Sequence, residues 1–331
     1  MPDPIAAARR IATDLLAPTA ESTDQSGILP AANLDALADA GLYGLGAGDE
    51  DLLEICAIIE ILAEACLTTS FVYSQHLGAL FAVAMAAPPA LRAAWLDPMI
   101  RGERRVGAAF TGAALPGRPA LRATPDGDGW RLDGFTPWVT GWGHIDAMHV
   151  AGRAPDGRVV WALLDAREGD GIDVTPLRLL AVQASATVRA TFTGVAVPAD
   201  RVTQITPEPV GSVVPRPTRI HAALSLGVAS RCIALLQSER LAGELERVRA
   251  QLDAALDDPE AMTQARAAVA ELTIRAGSAL LVQSGARAAV AEGAPQRLVR
   301  EAHFLSLFGS RPAIKAALLE RLHADAGPSA R

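Results

Sequence analysis

The sequence is poor in aromatic residues and in cysteine. Aromatics make up 4% of the 331 residues, and the three cysteines are Cys56, Cys66 and Cys232. Three cysteines do not build a disulfide framework, and their spacing is not that of a metal site. They are best interpreted as small buried apolar side chains. Half of the residues are hydrophobic, mostly alanine, leucine and valine, which favours closely packed helices.

The sequence also lacks an excess of basic residues and a long uninterrupted apolar run. Its formal net charge is −7, which argues against nucleic-acid binding because phosphate contacts need clustered positive charge. The longest apolar candidate, residues 76–95, is interrupted by Pro88 and Pro89. The first residues carry charges where a signal peptide needs an apolar core. We therefore expect a soluble, cytoplasmic protein with no nucleic-acid or membrane partner.

Three regions of the chain differ in the period of their apolar residues. In residues 1–103 apolar positions recur every three or four residues, as in amphipathic helices. Residues 104–205 form short alternating runs separated by turn signals such as PDGDG, which predicts an antiparallel β-sandwich or barrel. Helical periodicity returns in residues 206–331. The expected fold class is α+β in α–β–α order.

The few aromatic residues include an unusual cluster in FTPWVTGWGHIDAMHV, residues 135–150. Trp138 and Trp142 flank a Thr-Gly pair, and His144 and His149 follow. Such an indole packs inside a sheet or lies against a flat ligand, and composition does not decide between the two. The two histidines fall on different faces of an alternating strand. No carboxylate or cysteine completes a ligand set, so no metal site is expected.

Three stretches resemble the acyl-CoA dehydrogenase family, in a divergent and shortened form. They are WVTGWGHIDAMHVAGRA in the middle region, LAVQASATVRATFTGVAVPADRV at its end, and EGAPQRLVREAHFLSLFGSRPAIKAALLERL near the C-terminus. The resemblance implies an N-terminal helical domain (1–103), a middle β-domain (104–205) and a C-terminal four-helix bundle (206–331). It also implies a homodimer or homotetramer formed through the bundle.

The family's chemistry is α,β-dehydrogenation of an acyl-CoA or other acyl thioester. A carboxylate removes the α-proton while the β-hydride moves to FAD, which lies between the β-domain and the bundle. By resemblance Trp138 is expected beside the flavin ring, Thr140 at its edge, and Gly141 where the chain approaches closely. The full set of residues matching the family's cofactor-binding positions is Phe110, Thr111, Trp138, Thr140, Gly141, Gly285 and Arg311.

The sequence departs from the family where the catalytic base is expected. The usual glutamate position falls on Gly309, and glycine cannot accept a proton. The alternative position in RPTRIHAAL also lacks an acid. His76 and His221 are the candidate replacements, because imidazole titrates near neutral pH; the competing interpretation of each is a packed or surface histidine. Glu301 is interpreted as an ion-pair partner for an arginine one helical turn away.

The cofactor-binding loops are reduced as well. GAALPGRP, residues 112–119, replaces the family's Thr-Glu-Pro-Gly loop, and its Gly-Gly-x-Gly turn is reduced to GARA at 285–288. Arg240 is a substitute candidate for the pyrophosphate contact. FAD is therefore expected to be bound, bound weakly, or absent.

Three functions remain open on this evidence. The leading hypothesis is an FAD-dependent oxidoreductase of acyl-CoA dehydrogenase type with Gly309 in place of the usual glutamate. The second is a catalytically degenerate subunit that pairs with an active homologue in a hetero-oligomer. The third is a flavin monooxygenase on the same fold, which needs no carboxylate base.

Overall fold

The computed structural model describes residues 3–48, 51–114, 120–207, 213–290 and 293–323. Helices precede and follow a single eight-stranded sheet, which confirms the predicted α–β–α fold class. The first group of helices comprises α1 (Pro4–Ile11), α2 (Ala17–Ser26), α3 (Ala31–Asp39), α4 (Leu52–Ala65), α5 (Leu67–Ala86) and α6 (Pro89–Ile100). The last group comprises α8 (Pro215–Leu236), α9 (Glu239–Ala254), α10 (Pro259–Ser284), α11 (Arg287–Val290), α12 (Ala294–Leu307) and α13 (Pro312–His323).

The sheet occupies the middle of the chain, and its strands are mostly antiparallel. They are β1 (Val106–Ala109), β2 (Leu121–Asp126), β3 (Gly129–Val139), β4 (Ala147–Arg153), β5 (Val159–Asp165), β6 (Ile172–Pro176), β7 (Val188–Val197) and β8 (Val202–Thr206), with a short helix α7 (Thr111–Ala114) after β1. The strand order is β6-β7-β3-β2-β4-β5-β8, and β1 pairs with β4. The β1–β4 and β2–β4 pairings are parallel.

Local capping chemistry sets the helix bounds. Asp51 is the N-cap residue of α4, and its Oδ1 accepts the Leu53 N–H at 3.0 Å. Asp258 is the N-cap residue of α10, and its Oδ1 accepts the Glu260 N–H at 2.9 Å. The long helical segment near residue 237 is broken because Gln237 takes a left-handed conformation with φ of 53°. The chain can therefore reverse between α8 and α9.

The first and last groups of helices share one apolar core. Helix α4 packs along α8, and Gly227 marks the closest approach, since a Cβ there would lie 2.4 Å from the carbonyl oxygen of Glu60. Ion pairs join the same groups: Arg249 of α9 pairs with Glu60 of α4. The β-domain has a separate core. The helical regions therefore form one body, against which the sheet is placed.

Helix α8 is long and apolar enough to cross a membrane by length and composition alone. This corrects the expectation that no apolar run in the sequence is long enough to span a membrane. However, 61% of its most apolar window is buried inside the protein, against α4 and α10. Packing within the helical core accounts for its composition.

Candidate functional site

A cavity of about 310 Å³ lies where the three regions of the chain meet. Helix α5 supplies one wall, β1, α7 and the end of β3 supply a second, and α8 with the α12–α13 connection supply the third. Its volume is at the lower end of the range for small-molecule sites in proteins. Ligands commonly bind at such junctions, where rigid elements hold the lining in place.

Aromatic side chains are concentrated around this cavity. Four of the seven phenylalanines, Phe71, Phe110, Phe304 and Phe308, line it together with Trp138. Phe71 packs edge-on against Phe304 and Phe308, with ring centroids 5.4 and 4.9 Å apart. In a chain so poor in aromatics, this concentration points to a planar, apolar ligand.

Helix α5 presents one face to the cavity and turns His76 away from it. Phe71, Ser74, Gln75 and Gly78 line the wall at positions i, i+3, i+4 and i+7, which share a helical face. His76 lies off this face, and the structure places it outside the cavity lining.

His76 is buried between the helix and the sheet. Its Nδ1 accepts the Val106 N–H at 3.2 Å, and its ring meets that of Tyr43 edge-on at 4.9 Å. Burial lowers its pKa to about 3. This environment supports a structural role for His76, which holds β1 to α5. It does not support proton transfer in the cavity.

The end of β3 places an indole and a hydroxyl on the sheet wall. Trp138 is 41% exposed, unusual for tryptophan, and lines the cavity beside Thr140. The Thr140 hydroxyl lies 3.1 Å from that of Thr187, which in turn lies 2.8 Å from that of Ser185. Gly141 donates its N–H to the Ser185 carbonyl at 2.8 Å. The sequence reasoning missed Ser185 and Thr187, although both lie within the second resembling stretch.

Gly309, which matches the family's glutamate position by resemblance only, lies directly against His221. Gly309 has φ of 64°, and a Cβ there would come within 2.9 Å of His221 Nδ1. The imidazole also packs against Phe308, with centroids 5.0 Å apart. Burial, with the positive charges of Arg266 and Arg311, lowers the pKa of His221 to about 4. It is therefore neutral near pH 7 but a weak base.

Arg266 is a buried guanidinium that the sequence reasoning missed. It lies on α10, is 1% exposed, and donates from Nη2 to the carbonyl oxygens of Leu305 (2.9 Å) and Phe308 (3.1 Å). Burial lowers its pKa to about 10. It neutralises the C-terminal end of α12 and fixes the loop that carries Gly309. The sequence does contain a signal of this burial. Arg266 lies on the apolar stripe of α10, one turn from Met262 and within four residues of Val269.

The remaining cofactor candidates are divided between the cavity and the surface. Phe110, Thr111 and Arg311 line the cavity. Gly285 and Arg240 are exposed and are not among its lining residues. Residues 115–119 of the altered loop lie outside the described residues.

The structure also gives partners to the other singled-out residues. Glu301 pairs with Arg297 at 2.9 Å, in a buried contact that also includes Glu21 of α2. His149 is buried in the sheet, with Nε2 3.0 Å from the Thr203 hydroxyl. In the described ranges, no cluster of three or more histidine, cysteine or acidic side chains could hold a metal ion.

A second cavity of about 360 Å³ adjoins the first and shares Gly78, Ala108 and Phe110 with it. It lies between the C-terminal half of α5 and the sheet. Its rim includes Phe81 and Met85, which are 58% and 66% exposed. The Phe110 ring thus lies between two adjoining apolar spaces.

Comparison with known proteins shows which domain model the first residues match and which fold the whole chain shares. The acyl-CoA dehydrogenase N-terminal domain matches residues 5–103. Over 97% of both chains, the fold is similar to that of butyryl-CoA dehydrogenase from Megasphaera elsdenii, with a TM-score of 0.78 and 17% identity. The N-terminal helical region thus matches this family's domain, and the whole chain shares the acyl-CoA dehydrogenase fold. This confirms the resemblance identified in the sequence.

Two further similarities show how varied proteins with the acyl-CoA dehydrogenase fold are. The chain is 29% identical over 155 residues to the 3-sulfinopropanoyl-CoA desulfinase of Variovorax paradoxus, a match of 44% of this chain and 38% of that protein. Dibenzothiophene monooxygenase from Paenibacillus sp. A11-2 shares the fold over 98% of both chains, with a TM-score of 0.74 and 20% identity. The acyl-CoA dehydrogenase fold itself therefore leaves the reaction open.

Proposed function

We propose that this chain is a flavin-dependent oxidoreductase of acyl-CoA dehydrogenase type that acts on an acyl thioester without the usual carboxylate base. The observation that carries the proposal is the aromatic cavity between the sheet and the last helices. Trp138 and Thr140 form one of its walls, and the loop from Phe308 to Arg311 forms another. Among the described residues, no aspartate or glutamate lines it.

The residues around this cavity fit a flavin. The exposed face of Trp138 offers dispersion contact to a flat ring, and the Thr140 hydroxyl, held by Thr187, offers a polar contact at a ring edge. Phe110 and Thr111 complete the proposed contacts on the sheet side. Gly141, expected from the resemblance at the flavin, is instead buried, and a Cβ there would lie 3.0 Å from Ile145 Cγ2. When bound, the flavin supplies a two-electron acceptor for a hydride.

FAD is the proposed form of the cofactor, and FMN is the alternative. The Paenibacillus monooxygenase has been determined with FMN bound. Gly285 and Arg240 remain proposed FAD contacts only if a second subunit brings them to the site, because both are exposed in the single chain. The proposed assembly is accordingly a homodimer or homotetramer, with the cytoplasm as its proposed location.

The chain's own groups limit how a proton could leave the substrate. His221 is the one histidine among the described lining residues, and it is neutral at pH 7, so its imidazole can accept a hydrogen bond or a proton. Arg266 and Arg311 oppose its protonation, which makes it a poor base for an α-proton. The second cavity offers space for the thioester's carrier or for a long acyl chain.

Two alternatives retain specific support. A flavin monooxygenase agrees with the Paenibacillus neighbour and with the absence of an acid from the described part of the lining. A degenerate partner subunit agrees with Gly309 and His221 occupying the place of the base. The desulfinase relative, named for an acyl-CoA whose chain bears a sulfinate, supports an acyl thioester substrate.

The test is the absorbance spectrum of the purified protein, followed by anaerobic addition of acyl-CoA. A yellow protein whose flavin absorbance bleaches with acyl-CoA supports the dehydrogenase. A yellow protein that reacts only after reduction and admission of oxygen supports the monooxygenase. A colourless protein that co-purifies with a homologue would refute the proposal in favour of the partner subunit.

A further inference from the structure

The first cavity is lined by a cation that has no anionic partner among the described residues. Arg311 is half-buried in its wall, and no ion pair or side-chain hydrogen bond of Arg311 is formed with the described residues. An unpaired guanidinium beside apolar surface is costly unless a ligand supplies the counter-charge. Arg311 follows Gly309 by two residues, so it lies beside the position where the family places its glutamate.

A second cation lies behind the same wall. Arg266 is 1% exposed and bonds only carbonyl oxygens, and its Nε and Nη1 have no hydrogen-bond partner among the described residues. The charged groups facing His221 are these two arginines, and both are positive. The place that holds a negative charge in the family is therefore positive in this chain.

We propose that the acyl group of the substrate carries an anionic acid, a carboxylate or a sulfinate, which binds Arg311 beside Gly309. The absent Glu side chain leaves the 309 position without a competing negative charge. A planar guanidinium matches either acid with paired, charge-assisted hydrogen bonds. The inference rests on the proposed function for the acyl thioester, and it adds the class of acyl group.

The resemblance assigns Arg311 to the cofactor, where a flavin phosphate would be its anion. Three features of the site favour the substrate acid. The family uses a threonine rather than an arginine at this position, Arg311 lines the aromatic cavity itself, and the next ionisable lining group is the neutral His221. The phosphate is therefore kept as an outcome of the test.

The experiment compares two four-carbon thioesters, succinyl-CoA and butanoyl-CoA, which differ in a terminal carboxylate. Their binding to the purified protein is measured by titration calorimetry, which needs no turnover. We expect the purified protein to bind succinyl-CoA at least about tenfold more tightly than butanoyl-CoA. Arg311→Met should abolish that preference while leaving butanoyl-CoA affinity within about twofold, and Arg311→Lys should retain part of it. Arg216→Met, a surface arginine on α8 that is 63% exposed, is the matched control and should change neither affinity.

Flavin content measured on the same samples separates the two proposals. Equal affinity of the unaltered, flavin-loaded protein for both thioesters would overturn the anionic acyl group and leave the flavoprotein intact. Loss of flavin from Arg311→Met, with the succinyl preference unchanged, would assign Arg311 to the cofactor phosphate and also overturn it. A colourless protein that still prefers succinyl-CoA would support the anion site while refuting the flavin-dependent function.

Discussion

The His221 imidazole fills the space that a side chain at Gly309 would need: a Cβ at position 309 would come within 2.9 Å of the imidazole Nδ1. The backbone at Gly309 is also left-handed, with φ of 64°. The backbone conformation and the neighbour therefore both disfavour any side chain at this position, which by resemblance matches the family's glutamate. A glutamate introduced here would need changes at His221 as well as at Gly309.

From the sequence alone, Gly309→Glu is expected to raise acyl-CoA dehydrogenation by restoring the acid. The structure reverses this prediction. We expect Gly309→Glu to destabilise the protein by about 1–2 kcal/mol from the left-handed backbone and by about 1–3 kcal/mol more from the clash with His221. Denaturant unfolding measures this loss, and dehydrogenation should not increase.

Gly41→Glu is the matched control for this clash. Gly41 is left-handed, with φ of 73° and ψ of 11°, and no described atom lies within 4 Å of its Cβ position. Only the backbone cost of about 1–2 kcal/mol applies there. The double variant His221→Ala/Gly309→Glu removes the clash, and in flavin-loaded protein it should dehydrogenate acyl-CoA faster than Gly309→Glu alone. Equal stability of the two glycine variants would contradict the role assigned to His221.

Trp138 gives a direct test of the flavin wall. Because its indole is 41% exposed, Trp138→Ala should leave the melting temperature of the flavin-free protein within about 2 °C. Flavin affinity should fall by about two- to tenfold, the equivalent of the roughly 0.5–1.5 kcal/mol of an aromatic stacking contact. Equilibrium dialysis against flavin measures the effect.

Trp130 lies on the same strand and packs on the sheet core, so Trp130→Phe is the control. It should lower the melting temperature without changing flavin affinity. A Trp138→Ala protein that keeps its flavin affinity would place the ring somewhere other than beside this indole.

Much of the architecture and part of the site follow from the sequence. Apolar periodicity predicts the α–β–α order, because apolar residues recur every three or four positions in a helix and every two positions in a strand. It does not predict that the first and last helices share a core, which depends on the close approach of Gly227 to Glu60. Resemblance identifies Trp138 and Gly309, but the contacts among side chains from different elements come only from the fold.

His76 and Arg266 show why residue type was insufficient at the site. A histidine on a helix that faces the cavity is a reasonable candidate, yet a step of one residue turns the side chain by about 100° away from the lining face. Arg266 is the opposite case: it belongs to the site although its residue type does not suggest so, because an arginine in a helix is normally interpreted as solvated. Its importance depends on the carbonyl oxygens that α12 brings to it.

The positive charge of Arg266 lies close enough to His221 to lower the pKa of the imidazole, so removing that charge should raise the pKa. A neighbouring cation disfavours the imidazolium form, so removing the charge with Arg266→Met should raise the pKa of His221 from about 4. Arg311→Met should raise it by a smaller amount. An NMR titration of the imidazole Cε1–H, assigned with His221→Gln, measures the midpoint, and Arg216→Met should leave it unchanged. A midpoint that does not move in Arg266→Met would remove Arg266 from the electrostatics of the site.

Buried histidines predict a loss of stability in mild acid. Burial lowers the pKa of His149 to about 4, against an ordinary value of 6.5. As the pH falls below 6.5, the unfolded chain takes up a proton at this residue that the folded chain does not bind until about pH 4. The free energy of unfolding is therefore complete above pH 6.5 and falls between pH 6.5 and 4.

His149→Gln isolates this contribution. The amide keeps a hydrogen bond to the Thr203 hydroxyl but does not titrate, and His149 is only 5% exposed. At about 1.4 kcal/mol for each pKa unit, the loss of stability between pH 7 and pH 4 should be smaller in the variant by on the order of 2–3 kcal/mol. Urea unfolding of both proteins across this range measures the difference between their free energies of unfolding. The contribution of the carboxylates, which titrate in both proteins, cancels in this difference. Parallel stability curves would show that His149 binds its proton in the folded protein as readily as in the unfolded chain.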